Sequence, residues 1–166
     1  MTVIRRCRAE ETGRILAIIN QAAEAYRGVI PAEGWHEPYM SADHLAAEIA
    51  AGVDFWGFAD GDALIGVMGI QPVKDVDLIR HAYTLPDRQG RGIGSALLVH
   101  LRGRSERPIL IGTWKAATWA IRFYERHGFE LASPDEALRL LRTYWSIPES
   151  QAATSVVLIE RAPGQE

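Results

Sequence analysis

The chain has 166 residues, of which 48% are hydrophobic and 23% are charged, a composition that predicts one folded domain and argues against disorder. A net charge of −3 provides no basic face for a nucleic acid or an anionic membrane, so we expect neither partner. The single cysteine excludes a disulfide framework and a cysteine-rich metal site, and no metal is expected. No segment is apolar for long enough to be a signal peptide or a membrane span, which predicts a soluble, cytoplasmic protein.

The first half of the chain predicts a strand, two helices and three further strands. A strand over 3–8 precedes a segment with apolar residues at helical spacing. Residues 27–40 are rich in proline, glycine and aromatic side chains and predict a loop, after which Ser41 is the expected cap of the second helix. Two apolar strands joined at Asp60-Gly61, a strong hairpin signal, are followed by a third strand.

The second half predicts helices and strands in alternation. A glycine-rich turn leads into a helix with inward leucines and then into a buried strand over 108–114. The next helix is expected to bury Trp119, Ala120, Phe123, Tyr124 and His127. Ser133 begins a last helix within a late segment over 134–150, and a final strand follows.

This order of elements predicts an α/β fold, with a mixed central sheet, helices on both of its faces and antiparallel early strands. We expect a single domain over residues 1–161. The polar end at 162–166 is expected to be a flexible tail.

The stretch that joins the fourth predicted strand to the third helix contains Gly90, Gly92 and Gly94. The first N–H groups of a helix have no intrahelical partner and carry partial positive charge, and glycine lets a ligand approach the backbone closely. Arg88 and Arg91 would add positive charge. The stretch therefore predicts a phosphate or pyrophosphate site, and a tight turn without a ligand is the alternative.

Two common phosphate-binding motifs do not fit this stretch. The phosphate loop of nucleoside triphosphatases needs a lysine after its last glycine, but Gly94 is followed by Ser95 and Ala96. The dinucleotide fingerprint G-x-G-x-x-G has Ser95 or Leu97 in place of its third glycine. The loop by itself thus leaves the phosphate ligand open.

Two blocks taken together resemble the GNAT superfamily of N-acetyltransferases. The block PDRQGRGIGSALL carries the Gln/Arg-x-x-Gly-x-Gly/Ala signature at Gln89, Gly92 and Gly94. The block AIRFYERHGF matches the family at Ala120, Ile121, Phe123, Tyr124, Glu125, Gly128 and Phe129. Ala117 departs from the pattern, because the family often has an asparagine there that contacts the pantetheine. The resemblance implies a GNAT-like acyl-CoA-binding fold and an acetyl-CoA-dependent N-acetyltransferase.

The resemblance also implies roles for individual residues. Acetyl-CoA, as co-substrate, would be held by Ala82, Tyr83, Thr84, Gln89, Gly90, Arg91, Gly92, Ile93, Gly94, Ser95 and Phe123. Tyr124 would lie beside the sulfur as the general acid. A core tyrosine on an amphipathic helix is the alternative interpretation of Tyr124.

Acetyl transfer to an amine also needs a base, because an alkyl amine with a pKa of about 10.4 is almost fully protonated at pH 7. His81, with an unperturbed pKa of about 6.5, lies on the strand that leads into the loop and is the candidate base. A packed core histidine is the alternative. Asp77, Glu33, His36, Glu37 and a chain of water molecules are the other candidates.

The acceptor site is predicted from aromatic residues in and around the loop over 27–40. Its candidate residues are Tyr26, Trp35, His36, Tyr39 and Trp114, with core packing as the alternative. The late segment over 134–150 would cover this site or form a dimer contact, and a homodimer is the usual expectation. We expect a small-molecule amine as acceptor. A protein N-terminus or lysine, a non-catalytic acyl-CoA-binding or sensing module, and a nucleotide-binding regulatory domain remain alternatives.

Overall fold

The computed structural model describes residues 1–161, and the tail predicted at 162–166 lies outside the described residues. The strands are β1 (Thr2–Arg6), β2 (Asp54–Asp60), β3 (Ala63–Val73), β4 (Val76–Thr84), β5 (Ile109–Trp114), β6 (Phe129–Leu131) and β7 (Ser155–Glu160). The helices are α1 (Thr12–Ala22), α2 (Ala42–Ala50), α3 (Ile93–Arg104), α4 (Thr118–Arg126), α5 (Pro134–Tyr144) and α6 (Glu149–Ala152). The predicted order of elements is confirmed, and the short α6 is added to it.

The strands form one sheet in the order β1-β2-β3-β4-β5-β7-β6. Every neighbouring pair is antiparallel except β4 with β5, which is parallel. Two-residue turns at Gly61-Asp62 and Lys74-Asp75 join β2, β3 and β4 into a meander. Gly61 has a φ of 62°, a conformation that glycine adopts without a steric penalty, which explains why the hairpin forms where it was predicted.

Helices cover the sheet on both faces, as predicted. The main core is built from α1 and α3, which pack on β3 and β4 from opposite sides, and its helical residues are Ile15, Ile18, Ile19, Ile93, Leu97, Leu98 and Leu101. Each fully buried side chain of this size contributes about 1.5–3 kcal/mol. A smaller core joins α5 to β5 and β7 through Leu140, Leu110 and Val157.

Side-chain caps begin two of the helices. The Oγ of Ser41 accepts a hydrogen bond from the backbone N–H of His44 (3.0 Å) at the start of α2. The Oγ of Ser133 accepts one from the backbone N–H of Glu136 (3.3 Å) at the start of α5. Each cap satisfies an N–H group that the helix leaves without a partner, so both predicted helix starts are confirmed.

Helix α4 differs from the prediction. Of the five side chains expected to be buried on it, only Tyr124 is buried, and Trp119 remains 44% exposed. The amphipathic pattern was real, but the apolar face of α4 borders an open cleft instead of a closed core. The helical spacing does not distinguish these two environments.

The cleft arises where β4 and β5 separate. The two strands pair only over Asp77–Ile79 and Ile109–Ile111, and beyond that point both continue without pairing to each other. A bulge lies on the separated part of β4, since Tyr83 pairs with Val67 and Arg80 pairs with Gly69. His81, inside the bulge, has a φ of 55°, which is rare for a side chain of its size. The fold thus provides an open wedge in the sheet and an irregular strand beside it.

Candidate active site

A cleft of about 530 Å³ runs along the separated end of β4, between the first turn of α3 and one face of α4. Its walls contain predicted acetyl-CoA-binding residues from three separate elements: Ala82, Tyr83, Thr84, Gln89, Gly94 and Phe123. Tyr124, Tyr26, Trp119 and Arg126 also line it. The fold therefore brings the β4 residues, the glycine-rich loop and α4 to one surface.

The glycine-rich loop ends at the first turn of α3. Gly90 and Gly92 have φ values of 80° and 77°, in the left-handed region that favours glycine. Gly92 is the N-cap of α3, and no side chain among the described residues caps this helix. The N–H groups of Ile93, Gly94 and Ser95 are therefore left for an external acceptor. This arrangement fits an anionic phosphate group at the helix N-terminus.

Charged and polar groups around the loop differ in part from the expectation. Arg88 lies 3.8 Å from Asp60, so its charge is shared with that carboxylate, and Arg91 is exposed. Arg126, which the sequence did not single out, lines the cleft from α4. The hydroxyl of Ser95 lies 2.9 Å from the Nε2 of His127 and joins α3 to the end of α4. One hydrogen-bonding site of the Ser95 hydroxyl is therefore occupied by His127.

Tyr124 is a buried phenol whose ring packs between two phenylalanines. Its centroid lies 5.1 Å from that of Phe123 and 6.0 Å from that of Phe129. Burial, and secondarily the neighbouring Tyr26, raises the pKa of Tyr124 above its ordinary value. Tyr124 lines the cleft, and its hydroxyl has no hydrogen-bond partner within residues 1–161. Such a group remains protonated near neutral pH and can donate to a bound ligand.

Tyr26 and Tyr83 lie where the cleft meets a second cavity of about 130 Å³ inside the wedge, and both line the two cavities. Their ring centroids are 6.3 Å apart, and Trp119 stacks on Tyr26 at 5.9 Å. Burial raises the pKa of Tyr26 to about 12. The side chains that the two cavities share are therefore neutral phenols.

A third cavity of about 750 Å³ adjoins the second one and shares Tyr39, Arg80, His81 and Trp114 with it. The indole N–H of Trp114 donates to the hydroxyl of Tyr39 (2.9 Å), and this bond holds the shared wall together. His36 lines the third cavity as well. Among the predicted acceptor residues, the fold thus brings Tyr39, Trp114 and His36 together here, next to Tyr26.

Trp35 packs on this group from outside, with its ring centroid 5.7 Å from that of Tyr39, and lines none of the three cavities. Its ring lies 4.5 Å from the guanidinium carbon of Arg27, and its indole N–H donates to Glu37 (3.1 Å). Arg27 also forms ion pairs with Glu24 and Glu37, so this surface cluster stabilises the loop over 27–40. A structural role of this kind was the alternative given for the aromatic residues.

The end of the late segment covers the third cavity. Its lining includes Tyr144, Ser146, Ile147, Pro148 and Gln151. Trp145 packs over β5, where a Cβ added at Gly112 would lie 3.0 Å from the indole ring. The end of this segment therefore forms part of the wall of the third cavity.

The bulge in β4 carries an ionic network that the sequence did not reveal. The Oε1 of Glu48 lies 3.2 Å from the Nε2 of His81, and the guanidinium of Arg80 donates to both oxygens of Glu48 (3.0 and 3.1 Å). Burial alone would raise the pKa of Glu48, but the His81 hydrogen bond and the Arg80 charge outweigh it and lower the pKa to about 2. Burial lowers the pKa of His81. Glu48 is therefore an anion beside an imidazole that favours its neutral form.

The other candidate bases lie away from this network. Asp77 is at the paired end of β4, where it accepts a hydrogen bond from the Oγ of Ser105 (2.6 Å). Glu33 is exposed, and Glu37 is paired with Arg27. None of these three carboxylates lines the cleft or either adjoining cavity. Within residues 1–161 no helix is long and apolar enough to cross a membrane, and no three acidic, histidine or cysteine side chains cluster as a metal site.

Comparisons with known proteins agree with this geometry. A family model described as an acetyltransferase (GNAT) domain matches residues 51–131, which run from the end of α2 through β6 and include the glycine-rich loop and α4. No curated protein matches the chain at a significant level.

Several solved structures share the fold. The PaiA N-acetyltransferase of Thermoplasma acidophilum, in complex with coenzyme A, superposes with a TM-score of 0.73 at 15% identity, covering 98% of this chain and 99% of that one. A GNAT-family acetyltransferase of Staphylococcus aureus Mu50 superposes with a TM-score of 0.71 at 13% identity, covering 96% of this chain and 98% of that one. The N-acetylglutamate synthase of Neisseria gonorrhoeae, complexed with coenzyme A and N-acetyl-glutamate, gives 0.65 at 21% identity, but only 35% of its length is covered, against 97% of this chain.

Proposed function

We propose that the chain is a member of the GNAT superfamily of acetyltransferases, whose domain model matches residues 51–131, and that it transfers the acetyl group of acetyl-CoA to the primary amine of a small molecule. One observation carries the proposal. The cleft beside the glycine-rich loop adjoins, at Tyr26 and Tyr83, a cavity that His81 lines. Groups suited to bind a phosphate, to donate a proton and to accept one therefore line adjoining cavities.

We place acetyl-CoA in the cleft. The N–H groups at the start of α3 would bind its pyrophosphate, with Arg126 nearby. The edge of β4 over 82–84, which does not pair with β5, would supply backbone hydrogen bonds to the pantetheine amides. Phe123 would pack against the same arm. Ala117 lies at the N-cap of α4 and is fully buried, so its side chain supplies no polar contact to the pantetheine.

In the proposed reaction His81 and Tyr124 act on opposite sides of the thioester. His81 accepts the proton that the amine nitrogen loses as the new C–N bond forms. Tyr124 donates its proton to the sulfur as the C–S bond breaks, which yields the amide and the free thiol of coenzyme A. Exchange with water then returns a proton to Tyr124 and removes one from His81. The raised pKa of Tyr124 keeps this group protonated until the sulfur leaves.

The small-molecule acceptor is favoured by the cover over the third cavity. The loop over 27–40 and the segment over 144–151 both contribute to its lining. A cavity of about 750 Å³ is within the usual range for sites of small ligands, whereas a protein acceptor needs an open groove. Homodimer formation and a cytoplasmic location stay predictions from the sequence.

The first experiment is a thermal-shift measurement with acetyl-CoA, CoA, ATP and NAD at equal concentrations. A ligand at 100 times its Kd adds about 2.7 kcal/mol of stability, and about 1 kcal/mol raises the Tm of a domain of this size by about 2–4 °C. We expect acetyl-CoA and CoA to raise the Tm by roughly 5–10 °C, with ATP and NAD as controls. The absence of a shift with both CoA compounds would overturn the proposal.

Turnover is then measured as thiol release from acetyl-CoA over a panel of primary amines. Tyr124→Phe keeps the ring and removes the proton donor, so we expect its acetyl-CoA shift to remain and its kcat to fall by about 10²–10⁴-fold. Binding of acetyl-CoA without turnover of any amine or peptide would favour the non-catalytic module. Turnover of peptides but not of free amines would favour the protein acetyltransferase.

A further inference from the structure

Glu48 is a carboxylate in an unusual position. Helix α2 directs Leu45 and Glu48 inward, and Glu48 is only 9% exposed. A buried carboxylate is costly unless charged or hydrogen-bonding partners surround it. Its partners here come from β4, where Arg80 and His81 are consecutive residues at the bulge. The carboxylate therefore joins α2 to the irregular part of the strand.

Each oxygen of Glu48 has a defined contact. Oε2 accepts from the Nη1 of Arg80 (3.0 Å), while Oε1 accepts from its Nη2 (3.1 Å) and faces the Nε2 of His81 (3.2 Å). Arg80 also donates to the Oε1 of Gln71 (3.2 Å), and the amide of Gln71 donates to the carbonyl of Ala51 (3.1 Å). Contacts among α2, β3 and β4 thus hold the carboxylate in place and fix its orientation toward His81.

The imidazole of His81 is fixed in the same way. Its backbone has a φ of 55°, and its ring stacks on Phe55 with centroids 6.0 Å apart and planes 24° apart. Strained backbone conformations persist where surrounding contacts hold them, and they are concentrated at functional sites. The Glu48 contact is the one side-chain hydrogen bond of His81 within residues 1–161.

The charge state of Glu48 determines the tautomer of His81. An ionised carboxylate only accepts hydrogen bonds, so the neutral imidazole must carry its proton on Nε2 and leave the lone pair on Nδ1. The Nδ1 atom has no hydrogen-bond partner within residues 1–161. Because His81 lines both cavities of the wedge, a neutral Nδ1 is the basic atom that this side chain offers there.

Arg80 completes the arrangement by balancing the charge of Glu48. A carboxylate alone would favour the imidazolium form, which cannot accept a proton, and the neighbouring guanidinium opposes that effect. The other titratable side chains near His81 are His44 of α2, 3.4 Å from Glu48, and those that line the same cavities: Tyr26, His36, Tyr39, Tyr83 and Tyr144. Gln71 and Phe55, from β3 and β2, are neutral.

From this geometry we propose that Glu48 is a positioning residue, which fixes the Nε2–H tautomer of His81 and thereby keeps Nδ1 as the proton acceptor of the reaction. Arg80 is the counter-ion that keeps the imidazole neutral. This inference rests on the proposed acetyl transfer, because His81 has a catalytic role only in that reaction. The arrangement is analogous to other bases oriented by a third group.

The tautomer is measured directly by NMR of protein labelled with ¹⁵N-histidine, with the His81 signals assigned from the spectrum of His81→Gln. In the unmodified protein we expect the Nε2–H form of His81. Glu48→Gln removes the anion, so we expect a mixed tautomer and a lower midpoint of the His81 titration. The control Asp43→Asn changes an exposed carboxylate on the same helix and should leave both signals unchanged. An unchanged tautomer and midpoint in Glu48→Gln would overturn the proposal.

Kinetics provide the second readout, with acetyl-CoA and the amine of the panel that reacts fastest. We expect Glu48→Gln to lower kcat by about 10–100-fold, to leave the KM for acetyl-CoA unchanged and to move the acid limb of kcat/KM to lower pH. Loss of kcat with an unmoved acid limb would indicate a purely structural role and refute the inference.

A double variant, Glu48→Gln with Arg80→Gln, guards against simple unfolding because it leaves no unpaired buried charge. We expect this variant to fold, to bind acetyl-CoA and to show the same mixed tautomer. A pure Nε2–H form in this variant would contradict the proposal. If the unmodified protein shows the expected tautomer but acetyl-CoA gives no thermal shift, the proposed function fails while the Glu48–His81 contact stands.

Discussion

Gly69 on β3 allows a test of how strictly the bulge in β4 is held. Gly69 pairs with Arg80, directly before His81. A Cβ added at Gly69 would lie 2.9 Å from the carbonyl oxygen of Arg80 and 2.7 Å from the Cγ1 of Val53. The first contact is with backbone, and Val53 is a buried side chain, so neither neighbour moves freely. Gly69→Ala must therefore displace the bulge.

The expected magnitude follows from this overlap. Overpacking of a closed interior costs about 1–3 kcal/mol, and a loss of about 2 kcal/mol lowers the Tm of a domain of this size by about 4–8 °C. Because the displaced carbonyl belongs to the residue before His81, we also expect turnover to fall by about tenfold or more.

Urea unfolding, extrapolated linearly to water, measures the stability change, and thiol release measures turnover. Gly103→Ala on α3 is the matched control, since nothing lies within 4 Å of its added Cβ and alanine favours a helix. We expect this control to gain about 0.5–1 kcal/mol and to retain full activity. A Gly69→Ala protein as stable and active as the unmodified chain would refute the reasoning.

Three further predictions concern the loop, an ion pair and the cleft wall. Gly92→Ala places a side chain at a φ of 77°, so we expect a loss of about 1–2 kcal/mol and a smaller thermal shift with acetyl-CoA; an equal shift would contradict phosphate binding by this loop. The hydrogen bond from Arg5 is the largest cause that lowers the pKa of Glu11 to about 2. This stabilisation is complete above the unfolded pKa of about 4.3 and is lost as pH falls through the folded pKa of about 2. The free energies of unfolding of Glu11→Gln and of the unmodified protein should therefore differ by about 1–3 kcal/mol at pH 7 and become nearly equal near pH 2, as measured by urea unfolding. Trp119→Ala removes a side chain that is 44% exposed, so the melting temperature should change little. Calorimetry should show that the Kd for acetyl-CoA rises by about tenfold, and an unchanged Kd would exclude Trp119 from the binding surface.

The fold was largely predictable because local signals agreed along the chain. Alternating and helical hydrophobic patterns located the elements, and Ser41 and Ser133 marked two helix starts through capping that depends on only three following residues. The glycine-rich loop was predictable from local sequence as well, since its conformation depends on left-handed backbone angles at Gly90 and Gly92.

The ionic network at the bulge was not predictable in the same way. Glu48 lies on a helix whose pattern allows a solvated polar residue, and its partners are more than thirty positions away on β4. The bulge that turns His81 toward Glu48 results from the pairing of β4 with β3. The residues next to His81 in the sequence do not indicate this pairing. The exposure of Trp119 was missed for a related reason, because a cleft wall and a core present the same apolar periodicity.

The short contact between β4 and β5 has a consequence for the order in which the chain folds. The β2–β4 meander closes through two-residue turns, whereas β5 must reach β4 across α3, and β7 must reach β5 across three helices. Closing a longer loop costs more entropy, so we expect the meander to be formed in the folding transition state and the wedge to form afterwards. Acetyl-CoA would then find its cleft only in the native state. In stopped-flow kinetics acetyl-CoA should therefore lower the unfolding rate and leave the folding rate unchanged. A higher folding rate with acetyl-CoA would show that the wedge forms before or in the transition state.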